Sequence, residues 1–216
     1  MALTGADAEI SVNGHRRPHN AVLQLNDGDV IRVGQPARGL RTYLTVRGGF
    51  DVPAVLGSRS TDTLAGLGPE QVRAGDVVPI GEFEGTFPNV DAVASAVPAT
   101  GTVELKLLPG PRSDWFSDHA AITAQVWSVS SRSNRVGVRL EGNGLTRDTA
   151  YQDQELPSEA MVRGCVQVPP SGEPIIFLND HPVTGGYPVI GVLTEADVDL
   201  AAQLQPGQAV RFRWSN

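Results

Sequence analysis

The chain has 216 residues, including 24 glycines and 16 prolines, with a formal net charge of -7 and a pI near 5.0. Its acidic balance and lack of any run of Lys and Arg exclude a nucleic-acid-binding surface, because contact with a polyanion needs clustered positive charge. No apolar stretch reaches the roughly 18 residues that a membrane helix requires, and the single cysteine, Cys165, excludes an internal disulfide and a multi-thiolate metal site. We therefore expect a cytoplasmic protein whose partners include neither nucleic acid nor a membrane.

Strands are predicted wherever a turn precedes a short run of β-branched and other apolar residues. One turn pattern occurs three times, with Gly28, Gly75 and Gly207 at positions suited to a positive φ, each ahead of an alternating apolar run. The predicted strands are 9–12, 40–46, 102–107, 125–129, 136–140, 166–168, 175–178, 189–193 and 209–213. This spacing is typical of a mostly β protein built as a barrel or a sandwich.

Helix is predicted at few positions. The clearest is 194–204, where Thr194 and Asp197 resemble a capping box. A second short helix is predicted over 118–124, and a helical turn after Ser60.

The segment 84–100 loses hydrophobic periodicity and is rich in small residues and proline, which indicates a linker. We therefore expect two β subdomains with few short helices. Their predicted bounds are 1–88 for the first subdomain, 89–100 for the linker and 101–216 for the second subdomain.

The first subdomain has one candidate anion-binding segment, formed by Ser58, Arg59 and Ser60. Hydroxyls, a guanidinium and the N–H groups of a helix start would together bind a phosphate or carboxylate, provided that a helix begins there. In the alternative interpretation the serines cap that helix and Arg59 pairs with a surface acid. The lysine and spacing of a Walker loop are absent.

The second subdomain brings Arg112, Asp114 and Trp115 out of one proline-stiffened loop, 108–116. Arg112 offers a planar fork to a carboxylate ligand, but an arginine stacked on Trp115 is also a common structural corner, and we favour the structural interpretation. Arg135 lies at a turn before the strand 136–140. Several arginines near turns favour an anionic ligand.

The segment 155–190 carries the strongest functional pattern, with Glu159, Gln167, Asp180 and His181 between short apolar runs. Loops held by a rigid sheet are where sites are usually built. Adjacent side chains on a strand point apart, so Asp180 is not expected to orient His181 as in a Ser-His-Asp triad. The spacing indicates no metal site. Glu159, Asp180 and His181 are the acid–base candidates.

The loop that follows contains Thr184, Gly185, Gly186 and Tyr187. Its backbone N–H groups would face an anion or a developing oxyanion. The alternative is a plain hairpin with glycine at positive φ. A histidine and a tyrosine are unusual in an ordinary turn, so we favour a functional role.

Blocks of residues follow one another along nearly the whole chain. They read GGFD (48–51), LGSRST (56–61), LPGPR (108–112), DWF (114–116), NRVG (134–137), ELPSE (155–159), QVPP (167–170), DH (180–181) and TGGYP (184–188). In this order they resemble the family of KipA and the 5-oxoprolinase C subunit, whose members are also named allophanate hydrolase subunit 2 or biotin-dependent carboxyltransferase domain.

The resemblance implies a cyclophilin-like β-barrel architecture. It also implies a complex with two further subunits, one KipI-like and one of LamB/YcsF type, that opens 5-oxoproline to glutamate with ATP. No ATP motif is visible in this chain, so we expect the ATP site on a partner or shared with it. Asn134 and Ala160 depart from the Asp and Gly of the family pattern. Family members usually carry several dozen further residues ahead of the segment resembling 4–7, so we expect a shortened first subdomain.

The leading hypothesis is an enzyme subunit whose cleft between subdomains binds a small carboxylate or amide, with Arg59, Arg112 and Arg135 contacting negative charge. Two alternatives remain open. One is a regulatory module that binds a KipI-like partner without catalysis. The other is carboxyl transfer in urea-type amide metabolism, for which biotin would come in trans, because the Met-Lys acceptor dipeptide is absent from this chain.

Overall fold

A computed structural model describes residues 1–86 and 90–215. The chain forms two compact units, Met1–Pro98 and Ala99–Asn216. The predicted subdomain and linker bounds stay a prediction, and the junction expected at 88 and 89 lies outside the described residues.

The first unit contains two small antiparallel sheets among its described residues. Its strands are β1 (Ala2–Gly5), β2 (Ala8–Val12), β3 (His15–Arg17), β4 (Ile31–Pro36) and β5 (Thr42–Thr45). β1 pairs with β5, and β2 lies between β3 and β4. Alternation along β2 turns Ile10 and Val12 inward, where they pack with Leu3 and Leu23 in a small core.

The second unit is built around a closed barrel of seven strands among the described residues. Its strands are β6 (Val103–Pro109), β7 (Trp127–Val129), β8 (Gly137–Glu141), β9 (Glu159–Ala160), β10 (Cys165–Gln167), β11 (Ile175–Phe177), β12 (Thr184–Gly185), β13 (Val189–Leu193) and β14 (Ala209–Trp214). The order around the barrel is β10, β11, β8, β7, β14, β6, β13, with β13 pairing again with β10. β6 and β14 are parallel. β9 and β12 form a separate two-stranded ladder.

The barrel is filled by the inward residues of its strands. Leu105 and Leu107 alternate with exposed residues along β6, and both are fully buried, as are Ile176 and Phe212. Trp127 is also fully buried, and its indole Nε1–H donates to the Ile122 carbonyl at 2.9 Å. A buried tryptophan with its one donor satisfied adds apolar contact without leaving a polar group unpaired. The rigid barrel therefore supports the loops at its strand ends.

The described residues include two α-helices, α1 (Ala121–Ala124) and α2 (Glu195–Ala201). At the start of α2, the Asp197 N–H donates to Thr194 Oγ1, and the Thr194 hydroxyl donates to Asp197 Oδ2 at 2.6 Å. The predicted cap at Thr194 is confirmed. No helix in the described part of the chain is long and apolar enough to cross a membrane.

The predicted mostly β architecture with a barrel and few short helices is confirmed. Gly28, Gly75 and Gly207 have the predicted positive φ, at 81°, 92° and 81°. The strand predicted to start after Gly75 is wrong, because this stretch makes only an isolated bridge between Phe50 and Ile80.

Candidate functional site

Arg112 and Glu159 form an ion pair in the second unit. Arg112 Nε lies 3.1 Å from Glu159 Oε1 and 3.3 Å from Oε2, and Nη2 also contacts Oε1. The two side chains are 35% and 28% exposed, so the pair is half-buried. Within the described residues Nη1 of Arg112 has no hydrogen-bond partner. The guanidinium is thus held in place with one nitrogen available to an anion.

The pair also determines the charge of Glu159. Its hydrogen bond with Arg112 lowers the pKa of Glu159 against the opposing effect of burial, and the same hydrogen bond raises the pKa of Arg112. Glu159 is therefore a carboxylate at neutral pH and takes up a proton weakly. The geometry favours Glu159 as the residue that holds Arg112, rather than as the acid–base group of our prediction.

The loop that carries Arg112 is tied to β13. The Arg112 N–H donates to the Val189 carbonyl at 3.1 Å, and the Gly110 N–H donates to the Ile190 carbonyl at 2.9 Å. A Cβ at Gly110 would lie 2.5 Å from the Val189 oxygen. Only glycine at 110 allows this approach, and it places Arg112 directly over the strand end.

The ladder of β9 and β12 brings two further candidates beside Arg112. Glu159 stands opposite Gly185. A Cβ on Gly185 would lie 2.6 Å from Nε2 of Gln167, so any larger residue there would have to displace this side chain. Gln167 is 4% exposed, and its Nε2 donates to the Tyr187 carbonyl at 3.1 Å. We name Arg112, Glu159, Gln167 and Gly185 the Arg112 cluster.

Arg135, Asp180 and His181 lie together at the ends of β8 and β11. Arg135 Nε is 2.8 Å from Asp180 Oδ2. His181 Nδ1 is 2.8 Å from the Pro182 carbonyl, and the imidazole stacks on Phe177 with ring centroids 6.1 Å apart. Asp180 thus pairs with Arg135, in agreement with the expectation that it does not orient His181. A carbonyl oxygen only accepts, so Nδ1 is the donor in this contact and Nε2 is the nitrogen left for another partner.

A buried apolar cluster borders both groups of polar residues. It contains Met161, Cys165, Phe177 and Val189. Met161 Sδ lies 3.9 Å from Gln167 Nε2, and the Phe177 ring stacks on the His181 imidazole. Burial raises the pKa of the Cys165 thiol, so Cys165 is uncharged at neutral pH and is unsuited to act as a nucleophile.

The loop of Thr184, Gly185, Gly186 and Tyr187 is not the hairpin of the alternative interpretation. Thr184 and Gly185 form β12, and neither Gly185 nor Gly186 is among the glycines with positive φ. Thr184, Gly186 and Tyr187 are exposed beside the Arg112 cluster. Their role in binding stays a prediction.

Ser58, Arg59 and Ser60 belong to the first unit. Arg59 Nε donates to the Val52 carbonyl at 2.8 Å, and its Nη2 is 3.6 Å from Asp51 Oδ1. The Ser60 N–H donates to Ser58 Oγ at 3.1 Å. The pairing of Arg59 with a surface acid matches the alternative interpretation, whereas the helix that the serines were expected to cap is absent from the described residues.

A turn follows Ser60 at residues 63–66, but it does not continue into a helix. Asp62 pairs with Leu67 in an isolated bridge, and Asp62 Oδ1 accepts the N–H groups of Leu64 and Ala65 at 2.8 and 3.0 Å. These two contacts are those of a helix N-cap, but the Leu67 N–H donates back to the Asp62 carbonyl and closes the turn, so no helix follows in the described residues. The anion-binding role of the segment stays a prediction without the helix start on which it depended.

Trp115 forms a structural corner, as favoured from the sequence. It is 6% exposed and stacks on Tyr151 with ring centroids 4.7 Å apart, while the guanidinium of Arg147 lies 5.4 Å from its ring. Arg147 and Tyr151, rather than Arg112, are its partners. No local signal predicted this contact, because both partners come from a distant loop.

One groove of the first unit has a different character. It has a volume of about 240 Å³ and is lined mainly by apolar side chains, among them Met1, Val22, Val46 and Phe83. Its one arginine, Arg47, stacks on Phe83 at 4.6 Å and donates to the Gly85 carbonyl. We place the candidate site at the Arg112 cluster instead, because that is where charged groups converge. No group of three or more His, Cys, Asp or Glu in the described parts of the chain is arranged to hold a metal.

Comparison with known proteins gives consistent results. Residues 1–214 match the family model described as carboxyltransferase domain, subdomain A and B. The chain is 38% identical over 98% of its length to the 5-oxoprolinase C subunit of Escherichia coli and 31% identical over 88% to that of Haemophilus influenzae. It spans 68% and 60% of those two proteins. The crystal structure of Kluyveromyces lactis urea amidolyase superposes on all of this chain with a TM-score of 0.87 at 26% identity, over 14% of its own length. The chain therefore belongs to the carboxyltransferase domain family, subdomain A and B.

Proposed function

We propose that this chain acts as the C subunit of an ATP-dependent 5-oxoprolinase, a hydrolase of a cyclic amide that is active only as a cytoplasmic complex. Its support is the 38% identity over 98% of the chain to the C subunit of the Escherichia coli enzyme. The proposed partners are two further subunits, one KipI-like and one of LamB/YcsF type.

The Arg112 cluster is the observation that carries this proposal. Arg112 is held by Glu159 and keeps Nη1 for an anion, and its backbone N–H donates to Val189, the strand partner of Gln167. A charged fork beside a buried polar amide suits a small polar acid. 5-Oxoproline carries one carboxylate and one cyclic amide, and Arg112 would bind the carboxylate.

Ring opening requires water to add to the amide carbonyl carbon, the C–N bond to break and the nitrogen to take up a proton. His181, whose Nε2 is left free by the Nδ1 contact, is the proposed proton carrier, and Asp180 with Arg135 holds the adjoining chain in place. The backbone N–H of Gly186 is the proposed donor to the developing oxyanion.

The chemical driving force would come from hydrolysis of ATP to ADP and phosphate. This chain has no Walker loop. We therefore place the ATP site on a partner subunit or at its interface.

Co-expression of this chain with the two proposed partners tests the function. The expected result is ATP hydrolysis that depends on 5-oxoproline and disappears when this chain is left out. A complex that assembles but does not hydrolyse ATP in the presence of 5-oxoproline would contradict the proposal. Reduced partner activity on addition of this chain would instead support the regulatory alternative.

The likeness to urea amidolyase favours one second candidate, carboxyl transfer to a urea-type amide. It needs biotin supplied in trans. Transfer of labelled carboxyl from a biotinylated carrier protein to urea, dependent on this chain, would favour that candidate over ring opening.

A further inference from the structure

Gln167 contributes an enclosed side chain with an unused acceptor to the Arg112 cluster. Its Nε2 donates to the Tyr187 carbonyl at 3.1 Å. A carbonyl only accepts, so this bond fixes the orientation of the amide and turns Oε1 away from Tyr187. Within the described residues Oε1 accepts no hydrogen bond, although the residue is only 4% exposed, and it is not among the side-chain atoms sealed from solvent. An acceptor that solvent reaches and that no protein group occupies is available to a ligand that brings a donor.

A β-bulge directs this side chain. β10 and β13 pair in steady register as far as Val166 and Gly191, but the next pair joins Gln167 to Val189, so Ile190 is the extra residue. Bulges redirect side chains and are common beside active sites. The Ile190 carbonyl accepts the Gly110 N–H at 2.9 Å. The loop that carries Arg112 therefore also supplies the hydrogen-bond donor for the carbonyl of the bulged residue.

The same strand end links the two binding groups. Val189 is the register partner of Gln167, and its carbonyl accepts the backbone N–H of Arg112 at 3.1 Å. Arg112 offers Nη1 to a carboxylate, and Gln167 offers Oε1 to an N–H. A small acid whose amide N–H is next to the carbon that bears the carboxylate carries one group complementary to each of them.

We infer that Gln167 determines specificity for a cyclic amide acid by accepting its ring N–H at Oε1 while Arg112 binds its carboxylate. This inference rests on the proposed function and deepens it. 5-Oxoproline carries the two groups on adjacent ring atoms. The corresponding lactone has a ring oxygen that donates no hydrogen, so it leaves Oε1 facing a lone pair and is rejected.

The test uses the complex of all three subunits. The KM for 5-oxoproline and the inhibition constant of its lactone analogue, 5-oxotetrahydrofuran-2-carboxylate, are measured for the unsubstituted complex and for Gln167→Met. Gln125→Met is the matched control, because Gln125 also donates Nε2 to a backbone carbonyl, that of Asn143 at 2.8 Å. In the unsubstituted complex and the control, the inhibition constant of the lactone should be about tenfold higher than the KM for 5-oxoproline. In Gln167→Met the two constants should be nearly equal.

Two results would overturn the inference while leaving the proposed function intact. One is turnover of 5-oxoproline with no preference for the lactam in the unsubstituted complex, a result that does not depend on whether any variant folds. The other is a Gln167→Met complex in which both constants rise by the same factor, as for a merely structural residue. Absence of 5-oxoproline turnover in the unsubstituted complex would overturn the proposed function, and the inference with it.

Discussion

Arg112 and Glu159 are 47 positions apart in the sequence, yet Nε of one lies 3.1 Å from Oε1 of the other. The pair joins the loop after β6 to the short strand β9. The carboxylate holds the guanidinium in place before a ligand arrives. Arg112 therefore loses less conformational entropy when the ligand binds.

Glu159→Gln should raise the KM for 5-oxoproline about tenfold with little change in kcat, because the neutral amide orients Arg112 less firmly. Steady-state kinetics of the complex measures both constants. Glu141→Gln is the control, since Glu141 pairs with Arg132 at 3.6 Å on the surface. A large fall in kcat at unchanged KM would instead show that Glu159 transfers protons.

The ion pair should make stability depend on pH in acid. Arg112 lowers the pKa of Glu159, so the pair stabilises the fold above the ordinary glutamate pKa of about 4.3. That contribution is lost as the pH falls through the lowered pKa of the folded state. The Tm of the unsubstituted chain should therefore be higher than that of Glu159→Gln at pH 7, and the two Tm values should become equal in strong acid. A difference that is constant with pH would contradict the assignment.

Gly185→Ala should displace Gln167 and destabilise the second unit by about 1–3 kcal/mol, because the new Cβ would lie 2.6 Å from Gln167 Nε2 and 3.2 Å from Met161 Cγ. Denaturant unfolding and 5-oxoproline turnover should both show the loss. Gly186→Ala is the control for unfolding alone, since its Cβ would meet only the Leu156 carbonyl, at 3.6 Å. Equal effects of the two substitutions would argue against close packing at Gly185.

His181→Ala should lower kcat about 100-fold or more while the complex still assembles, as expected for loss of a proton carrier. Turnover and size-exclusion chromatography measure the two properties. His119→Ala is the matched control, because His119 makes an edge contact with Trp214 at 6.1 Å instead of stacking on Phe177. Unchanged turnover with lost assembly would favour the regulatory alternative.

Asp197→Ala should cost about 1–3 kcal/mol of stability. Asp197 is 6% exposed, accepts the Lys106 N–H at 3.2 Å and exchanges hydrogen bonds with Thr194, so its loss leaves buried donors unpaired. Asp199→Ala on the same helix should change the free energy of unfolding by less than about 1 kcal/mol, because its ion pair with Arg163 is exposed. Denaturant melts compare the two variants, and similar losses would refute a special role for Asp197.

Local sequence determined the barrel strands, the cap at Thr194 and the turn glycines at 28, 75 and 207. These features depend on neighbours within a few residues, through the period of apolar side chains and the positive φ that glycine tolerates. The strand expected after Gly75 failed because an apolar run forms a strand only where another strand is available to pair with it.

The candidate site was predicted as a set of residues, and only the tertiary structure decided their partners. β9 and β12 are two residues each, too short to show a period, and they exist because distant segments pair. The same long-range pairing holds Glu159 against Arg112, Asp180 against Arg135 and Gln167 beside Gly185. The sequence therefore determined which chemical groups are present at the strand ends. Chain closure into a barrel decided which of them meet, because contacts between remote segments depend on register and bulges that no local pattern encodes.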